Sequence, residues 1–141
     1  MENMDPQEIR DFLTYGTRTG KAAVVRSNGS PHVTPIWFIL DGEQLVFNTW
    51  HKSVKARCLK RDARLTLCVD QELPPYAFVM VEGRAELSSD PEELLHFATL
   101  IASRYMGEDR AKEYGKRNSV EGELLVRVTP TKIIAKKGVA D

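Results

Sequence analysis

The chain has 141 residues, the usual size of a single domain and enough to bury a hydrophobic core. Its 20 basic and 20 acidic residues cancel, which argues against a general affinity for nucleic acids or other polyanions. No apolar run reaches the roughly 20 residues that cross a membrane, and Met1 to Gly16 lacks the apolar segment of a secretory signal. The two cysteines, Cys58 and Cys68, form no metal-binding motif. Together these features predict a cytoplasmic protein with reduced thiols, no membrane contact and no metal.

The first third of the chain predicts a helix followed by a three-stranded meander. A short amphipathic helix is expected over Pro6 to Tyr15, with Asp5 as its N-terminal cap. Asn28-Gly29 predicts a type I′ hairpin turn, and Asp41-Gly42 predicts a second tight turn. Three strands joined by two such turns indicate an antiparallel meander. The predicted strands are Thr19 to Arg26, Pro31 to Leu40 and Gln44 to Thr49.

The second half of the chain predicts further strands around a helical pair. Gly83 lies inside a long strand and is typical of a β-bulge, whereas Pro130 is expected to separate two strands. Asp90 followed by Pro91 predicts a helix start. The predicted elements are strands over Ala63 to Asp70 and Tyr76 to Leu87, helices over Asp90 to Tyr105 and Asp109 to Lys116, and strands over Glu123 to Val128 and Thr131 to Lys136. The longer helix should bury a stripe formed by Leu94, Leu95, Ala98, Ile101, Ala102 and Tyr105.

These elements predict a mainly β protein with α-helical insertions, built as one domain over residues 1–141. Six or seven mostly antiparallel strands either expose the edges of their sheet or close it. Closure into a small barrel removes the edges, so we expect an antiparallel six- to seven-stranded barrel.

The stretch FNTWHKSVKARCLKRD, Phe47 to Asp62, carries the main functional signal. It predicts a strand end, a polar corner and a short basic helix capped by Ser53. The free amides at a helix start attract anions, and Lys52, Lys55 and Arg57 surround this start. Thr49 and Trp50 add a hydroxyl and a flat aromatic surface beside it. A phosphate beside a flat ring describes a flavin-like ligand, although a basic helix exposed to solvent has the same composition.

The order of these elements resembles the pyridoxamine 5′-phosphate oxidase-like family of split β-barrel flavin-binding proteins. The resemblance covers essentially the whole chain. The short length and the run SVKARCLKRDARLTLCVD are similar to the branch that uses the deazaflavin coenzyme F420 in place of FMN. The residues that carry the resemblance are Gly29 to Phe38, Phe47 to Thr49, Ser53 to Arg57, Leu59 to Asp62 and Val81 to Ala85.

The resemblance implies a cofactor site and a homodimer. The cofactor phosphate would lie at the start of the short helix, held by Lys55 with Lys52, Ser53 and Arg57 around it. The ring would be flanked by one strand and by the end of another, through Thr34, Pro35, Ile36, Trp37, Asn48, Thr49 and Trp50. The partner chain would contribute residues around Pro75, Tyr76, Ala77 and Phe78. FMN oxidases of the family commonly have an Arg where this chain has Val54, which favours F420.

Three functions are consistent with these residues. The first is an F420-dependent reductase that transfers hydride to an electron-poor small molecule, in which the cofactor performs the chemistry. The second is an FMN-dependent oxidoreductase on the same fold, and the third is a non-catalytic carrier of flavin, deazaflavin or haem. His51 lies in the predicted corner, either lining the site or not, and Trp37 and Trp50 suit either a pocket wall or the core. Neither the catalytic residues nor the substrate can be assigned from these patterns.

Overall fold

The computed structural model describes all 141 residues, and they form eight strands and four α-helices. The strands are β1 (Glu2–Asn3), β2 (Gly20–Val25), β3 (Pro31–Ile36), β4 (Ile39–Asp41), β5 (Gln44–Trp50), β6 (Arg64–Gln71), β7 (Ala77–Ser88) and β8 (Glu123–Lys137). The helices are α1 (Pro6–Thr14), α2 (Val54–Arg61), α3 (Pro91–Met106) and α4 (Ala111–Arg117), with a 3₁₀ turn over Glu108–Arg110. None of the helices combines the length and the apolar character that a membrane crossing requires.

All eight strands belong to one antiparallel sheet with the order β3-β2-β6-β7-β8-β5-β4, and β1 pairs with the far end of β8. The mainly β fold with helical insertions is confirmed. The closed barrel predicted from the strand count is wrong in one respect, because no hydrogen-bonded ladder joins β3 to β4. The sheet curls around its core as a split barrel and leaves these two edges unpaired.

The two unpaired edges are nevertheless neighbours in the chain. Only Trp37 and Phe38 separate the end of β3 from the start of β4. The predicted single strand over Pro31 to Leu40 is therefore wrong, and so is the three-stranded meander, because β3 pairs with β2 only and β4 with β5. Phe38 is completely buried and joins the core, which explains why a run of apolar residues bends there without a turn residue.

Two further details differ from the predictions. The hairpin between β2 and β3 has positive φ at Gly29 but not at Asn28, so it is not a type I′ turn. The amide of Gly29 donates to the carbonyl of Arg26, as in a type I turn that ends in a left-handed glycine. The two predicted final strands are one continuous strand, β8, because Pro130 lies opposite the bulge at Gly83 and needs no ladder hydrogen bond.

The core is formed by the inward faces of the strands, and α1 and α2 pack against it. Its 20 buried members include Phe38, Phe47 and Leu67, all fully buried. A smaller cluster lies between α3 and the outer face of β5 and β8. In α3, Leu94, Ala98, Ile101 and Ala102 of the predicted stripe are buried, whereas Leu95 is exposed and Tyr105 is half-buried; Phe97, which was not predicted, is buried as well.

Candidate functional site

The start of α2 follows the end of β5 and also contacts β3, through hydrogen bonds to Thr49 and to Thr34. Ser53 caps the helix as predicted, and its hydroxyl oxygen accepts a hydrogen bond from the amide of Ala56 at 3.0 Å. The same oxygen lies 2.8 Å from the hydroxyl of Thr49, which is buried at the end of β5. This contact fixes the helix start against β5 and aims its first amides at a defined point.

Lys55 connects the same helix to the opposite edge of the sheet. Its ammonium donates a hydrogen bond of 2.8 Å to the hydroxyl of Thr34 on β3. Helix α2 therefore bridges the split in the barrel, with Ser53 bound to β5 and Lys55 bound to β3. Thr34, Thr49, Ser53 and Lys55, here called the anion shelf, are four of the predicted site residues that the fold brings together.

The electrostatics of the shelf favour an anionic guest. Burial lowers the pKa of Lys55, since the ammonium is half-withdrawn from water. No carboxylate pairs with Lys55, and its three N–H groups have one hydroxyl acceptor among them. The free amides at the start of α2 also favour an anion, and the cations of Lys52 and Arg57 are exposed nearby. A phosphate would supply the acceptors and the negative charge that this shelf lacks.

Trp37 lies in the linker between the two edges and is half-buried. Its ring stacks on Tyr105 of α3, with ring centroids 5.2 Å apart and an angle of 3° between the planes. The flanking predicted residues differ in what they offer: Ile36 is buried in the core, whereas Pro35 is exposed on β3. Pro35 and Trp37 therefore have side-chain surface available to a ligand, and Ile36 can contribute through its backbone.

Two residues of α3 hold this linker: Arg104, which the sequence analysis did not name, and Tyr105, which it named only as part of the buried stripe. Arg104 donates to the carbonyls of Phe38, Leu13 and Gly16 at 2.7, 2.8 and 2.9 Å. The Tyr105 hydroxyl donates to the carbonyl of Arg18 at 2.8 Å and accepts from the amide of Phe38 at 3.2 Å. The position of Trp37 thus depends on α3, and no local motif identifies these partners, because they are main-chain groups.

Asn48 and Trp50 lie on the outer face of β5, away from Thr49. Asn48 donates to the carbonyl of Asn118 at 2.7 Å and contacts the carboxylate of Glu123 at 3.5 Å. Glu123 pairs with Trp50 across the sheet, and burial raises the pKa of its carboxyl group. These side chains form a separate cluster on the outer face of β5 and are not part of the anion shelf.

Trp50 and His51 are positioned by Gly122 in the loop before β8. The carbonyl of Gly122 accepts from the backbone amide of His51 at 2.8 Å and from its Nδ1 at 2.9 Å. Because a carbonyl only accepts, Nδ1 of His51 carries a proton, and Nε2 makes no hydrogen bond within the chain. Gly122 has a φ of 102°, and a Cβ there would lie 2.5 Å from the Trp50 ring. Glycine is therefore required for this arrangement.

The predicted segment Pro75 to Ala77 lies far from the shelf of its own chain. Thr34 lies in the same row of the sheet as Val81, three strands away, and Ala77 is four residues further along β7. With strands about 4.8 Å apart and about 3.4 Å per residue, the separation along the sheet is roughly 20 Å. Tyr76 is 45% exposed, and a contact between this segment and a ligand held by another chain stays a prediction.

Comparison with known proteins agrees with this fold. The family model described as pyridoxamine 5′-phosphate oxidase matches residues 5–137, so the chain belongs to that family. No curated protein matches the sequence significantly.

Three solved structures illustrate the range of similar proteins. A conserved hypothetical protein from Mycobacterium tuberculosis is 27% identical over 96% of this chain and 86% of its own, with a TM-score of 0.86. An F420 reductase is 28% identical over 87% of this chain and 94% of its own, with a TM-score of 0.70. The haem storage protein from Vibrio cholerae is 16% identical over 96% and 98% of the two chains, with a TM-score of 0.74, and shows the shared fold alone.

Proposed function

We propose that the protein is an F420-dependent reductase that transfers a hydride from the reduced coenzyme to an electron-poor small molecule. The observation that carries the proposal is the anion shelf, where the half-buried ammonium of Lys55 has no carboxylate partner. The phosphate of F420 matches this shelf in charge and in hydrogen-bond acceptors. The F420 reductase at 28% identity and Val54, in the place of the Arg common in FMN oxidases, support the choice of coenzyme.

In this proposal the protein binds and orients the coenzyme and the substrate, and the coenzyme supplies the hydride. Lys55, Thr34, Ser53 and the first amides of α2 hold the phosphate, with Lys52 and Arg57 adding long-range attraction. The backbone of residues 35–37 on one side and Thr49 on the other would border the space for the ring. Asn48 and Trp50 lie on the outer face of β5, where their contacts fix the end of this strand and the corner at His51.

The proposal includes a homodimer, because one chain leaves the shelf open on the side that faces solvent. Pro75, Tyr76 and Ala77, with Phe78, would cover the shelf of the partner rather than that of their own chain. Exposed Tyr76 and Leu73 provide apolar surface for such a contact. The dimer would also exclude water from the ring, which strengthens the polar contacts in the site and limits side reactions.

The second candidate is an FMN-dependent oxidoreductase, since the family and the shelf also suit the phosphate of FMN. A fluorescence titration of apo-protein with F420 and with FMN separates the two. We expect F420 to bind with a micromolar or lower dissociation constant and FMN at least tenfold more weakly.

The opposite preference would assign the protein to the FMN branch and make oxygen consumption the next assay. Binding of neither coenzyme would refute a cofactor role for the shelf. A bound coenzyme that stays redox-silent with quinones, tetrapyrroles and nitro compounds would instead support a carrier. Sedimentation of the protein at the titration concentration tests the dimer separately.

A further inference from the structure

The connection between β5 and α2, residues 51–53, determines where the anion shelf begins. Two contacts hold it from within the same short stretch of chain. The amide of Ser53 donates to the carbonyl of Trp50 at 2.9 Å, and the hydroxyl of Ser53 lies 2.8 Å from that of Thr49. A third contact is made by His51, which binds Gly122 at a distance of 71 positions along the chain. His51 therefore ties the connection to a separate part of the fold.

The carbonyl of Gly122 is the anchor of this third contact. It accepts from the backbone amide of His51 at 2.8 Å and from Nδ1 of the same residue at 2.9 Å. Two donors from one residue fix both the course of the backbone and the orientation of the ring. The ring of Trp50 packs against that of His51, with centroids 4.6 Å apart and an interplanar angle of 60°. Rotation of the connection away from β8 would break all of these contacts.

The loop that carries Gly122 is itself fixed to β5. The carbonyl of Asn118, at the start of this loop, accepts from the side chain of Asn48 at 2.7 Å. Gly122 has a φ of 102°, and a Cβ there would lie 2.5 Å from the Trp50 ring and 3.0 Å from Nδ1 of His51. Only glycine can bring its carbonyl so close to the connection. The anchor is thus both rigid and specific to this residue.

We propose that His51 is a positioning residue for the anion shelf, which it holds in place through its two bonds to Gly122. His51 makes no hydrogen bond to any member of the shelf, so it acts through the backbone that leads to Ser53. Donors bind a phosphate together only when each is held within about 0.5 Å of its productive position. The inference rests on the proposed function, because it takes the phosphate of the coenzyme as the ligand of the shelf.

Amide hydrogen exchange tests the position of the helix start without any coenzyme. His51→Leu removes the ring donor and keeps a side chain that can pack. In this variant the amide of Ala56, which donates to Ser53, should exchange about tenfold faster, while the amides of β7 keep their rates. His51→Asn should restore slow exchange, because its side-chain N–H can occupy the place of Nδ1–H. His96→Leu, at an exposed histidine of α3, is the control and should change nothing.

Gly122→Ala tests the anchor itself and serves if His51→Leu fails to fold. The added Cβ meets the Trp50 ring, so the loop must move and the Ala56 amide should again exchange faster. Gly107→Ala is the matched control. Gly107 has a similar φ of 89°, but a Cβ there meets no heavy atom within 4 Å, so the variant should leave Ala56 unaffected. Equal effects of the two glycine substitutions would overturn the inference.

Titration with F420 measures the consequence for the shelf. We expect His51→Leu to bind the coenzyme about tenfold more weakly and His51→Asn to bind it as the unaltered protein does. Unchanged exchange at Ala56 in His51→Leu would overturn the inference, and so would faster exchange with unchanged F420 affinity. Should the unaltered protein bind neither F420 nor FMN, the proposed function fails, and exchange at Ala56 alone decides whether His51 positions the helix start.

Discussion

Lys55 and Arg104 are both half-buried cations that hold parts of the split barrel together, yet they differ in what they leave unsatisfied. Arg104 donates to three carbonyls, and its guanidinium also lies 4.8 Å from the Phe38 ring centroid. Lys55 donates to one hydroxyl. Burial lowers the pKa of each. The comparison teaches that burial of a cation does not by itself indicate a ligand; unused donors do.

The largest expected effect is on stability, from removing Arg104. Arg104→Met should lower the free energy of unfolding by about 2–4 kcal/mol, because three carbonyls lose a charged donor. Urea denaturation measures the change. Arg110→Met, which removes an exposed arginine paired with Glu113, is the control and should change stability by at most about 0.5 kcal/mol. Equal effects of the two substitutions would remove the structural role assigned to Arg104.

Replacing Lys55 should instead reduce coenzyme affinity and leave stability nearly unchanged. Lys55→Met should weaken F420 binding about ten- to a hundredfold, since a charge-assisted contact with the phosphate is lost, and should leave urea denaturation nearly unchanged. Lys60→Met, an exposed lysine in the last turn of α2, controls for general charge. A loss of stability without a loss of affinity would make Lys55 a structural residue like Arg104.

A smaller effect is expected at Tyr105. Tyr105→Phe removes the hydroxyl that contacts Arg18 and Phe38 but keeps the ring that stacks on Trp37. The free energy of unfolding should fall by about 1 kcal/mol. Measured in a Trp50→Phe background, which leaves Trp37 as the one tryptophan, the intrinsic fluorescence of the folded state should change little. A large spectral shift would show that the hydroxyl, rather than the stack, positions the indole.

The smallest effect concerns pH. Because burial lowers the pKa of Lys55, its ammonium loses its proton at a lower pH than the ammonium of a free lysine does. F420 affinity should therefore decline as the pH rises through that lowered pKa. In Lys55→Arg, whose guanidinium stays charged, the affinity between pH 7 and about pH 10 should be flatter. Identical profiles would exclude Lys55 as the titrating group.

The local parts of both regions were predictable from sequence, and their long-range partners were not. Ser53 was identified as a cap because an N-cap depends on its immediate neighbours. The contact between Lys55 and Thr34 spans 21 positions and was not predicted; the family resemblance implied only that both residues border the cofactor. Arg104 was missed because its partners are carbonyls, and a main-chain acceptor leaves no signature in the sequence.

The errors in strand assignment have the same origin. Residues 31–40 form a continuous stretch suited to a strand, and the break at Trp37 and Phe38 is stabilised by contacts with α3 rather than by turn residues. Pro130 ends a strand in most settings, but here the bulge at Gly83 accommodates it. At both places, contacts with residues distant in sequence determine whether the strand breaks or continues.

The two-residue linker also has a consequence for engineering of the chain. Irregular segments between strands usually accept insertions or new termini, because they lie at the surface. Trp37 and Phe38 join the two opposite ends of a seven-strand path, so the covalent chain here limits how far the split can spread. Circular permutation or a peptide insertion at this point should open the barrel, whereas the exposed Asn28-Gly29 hairpin should accept either.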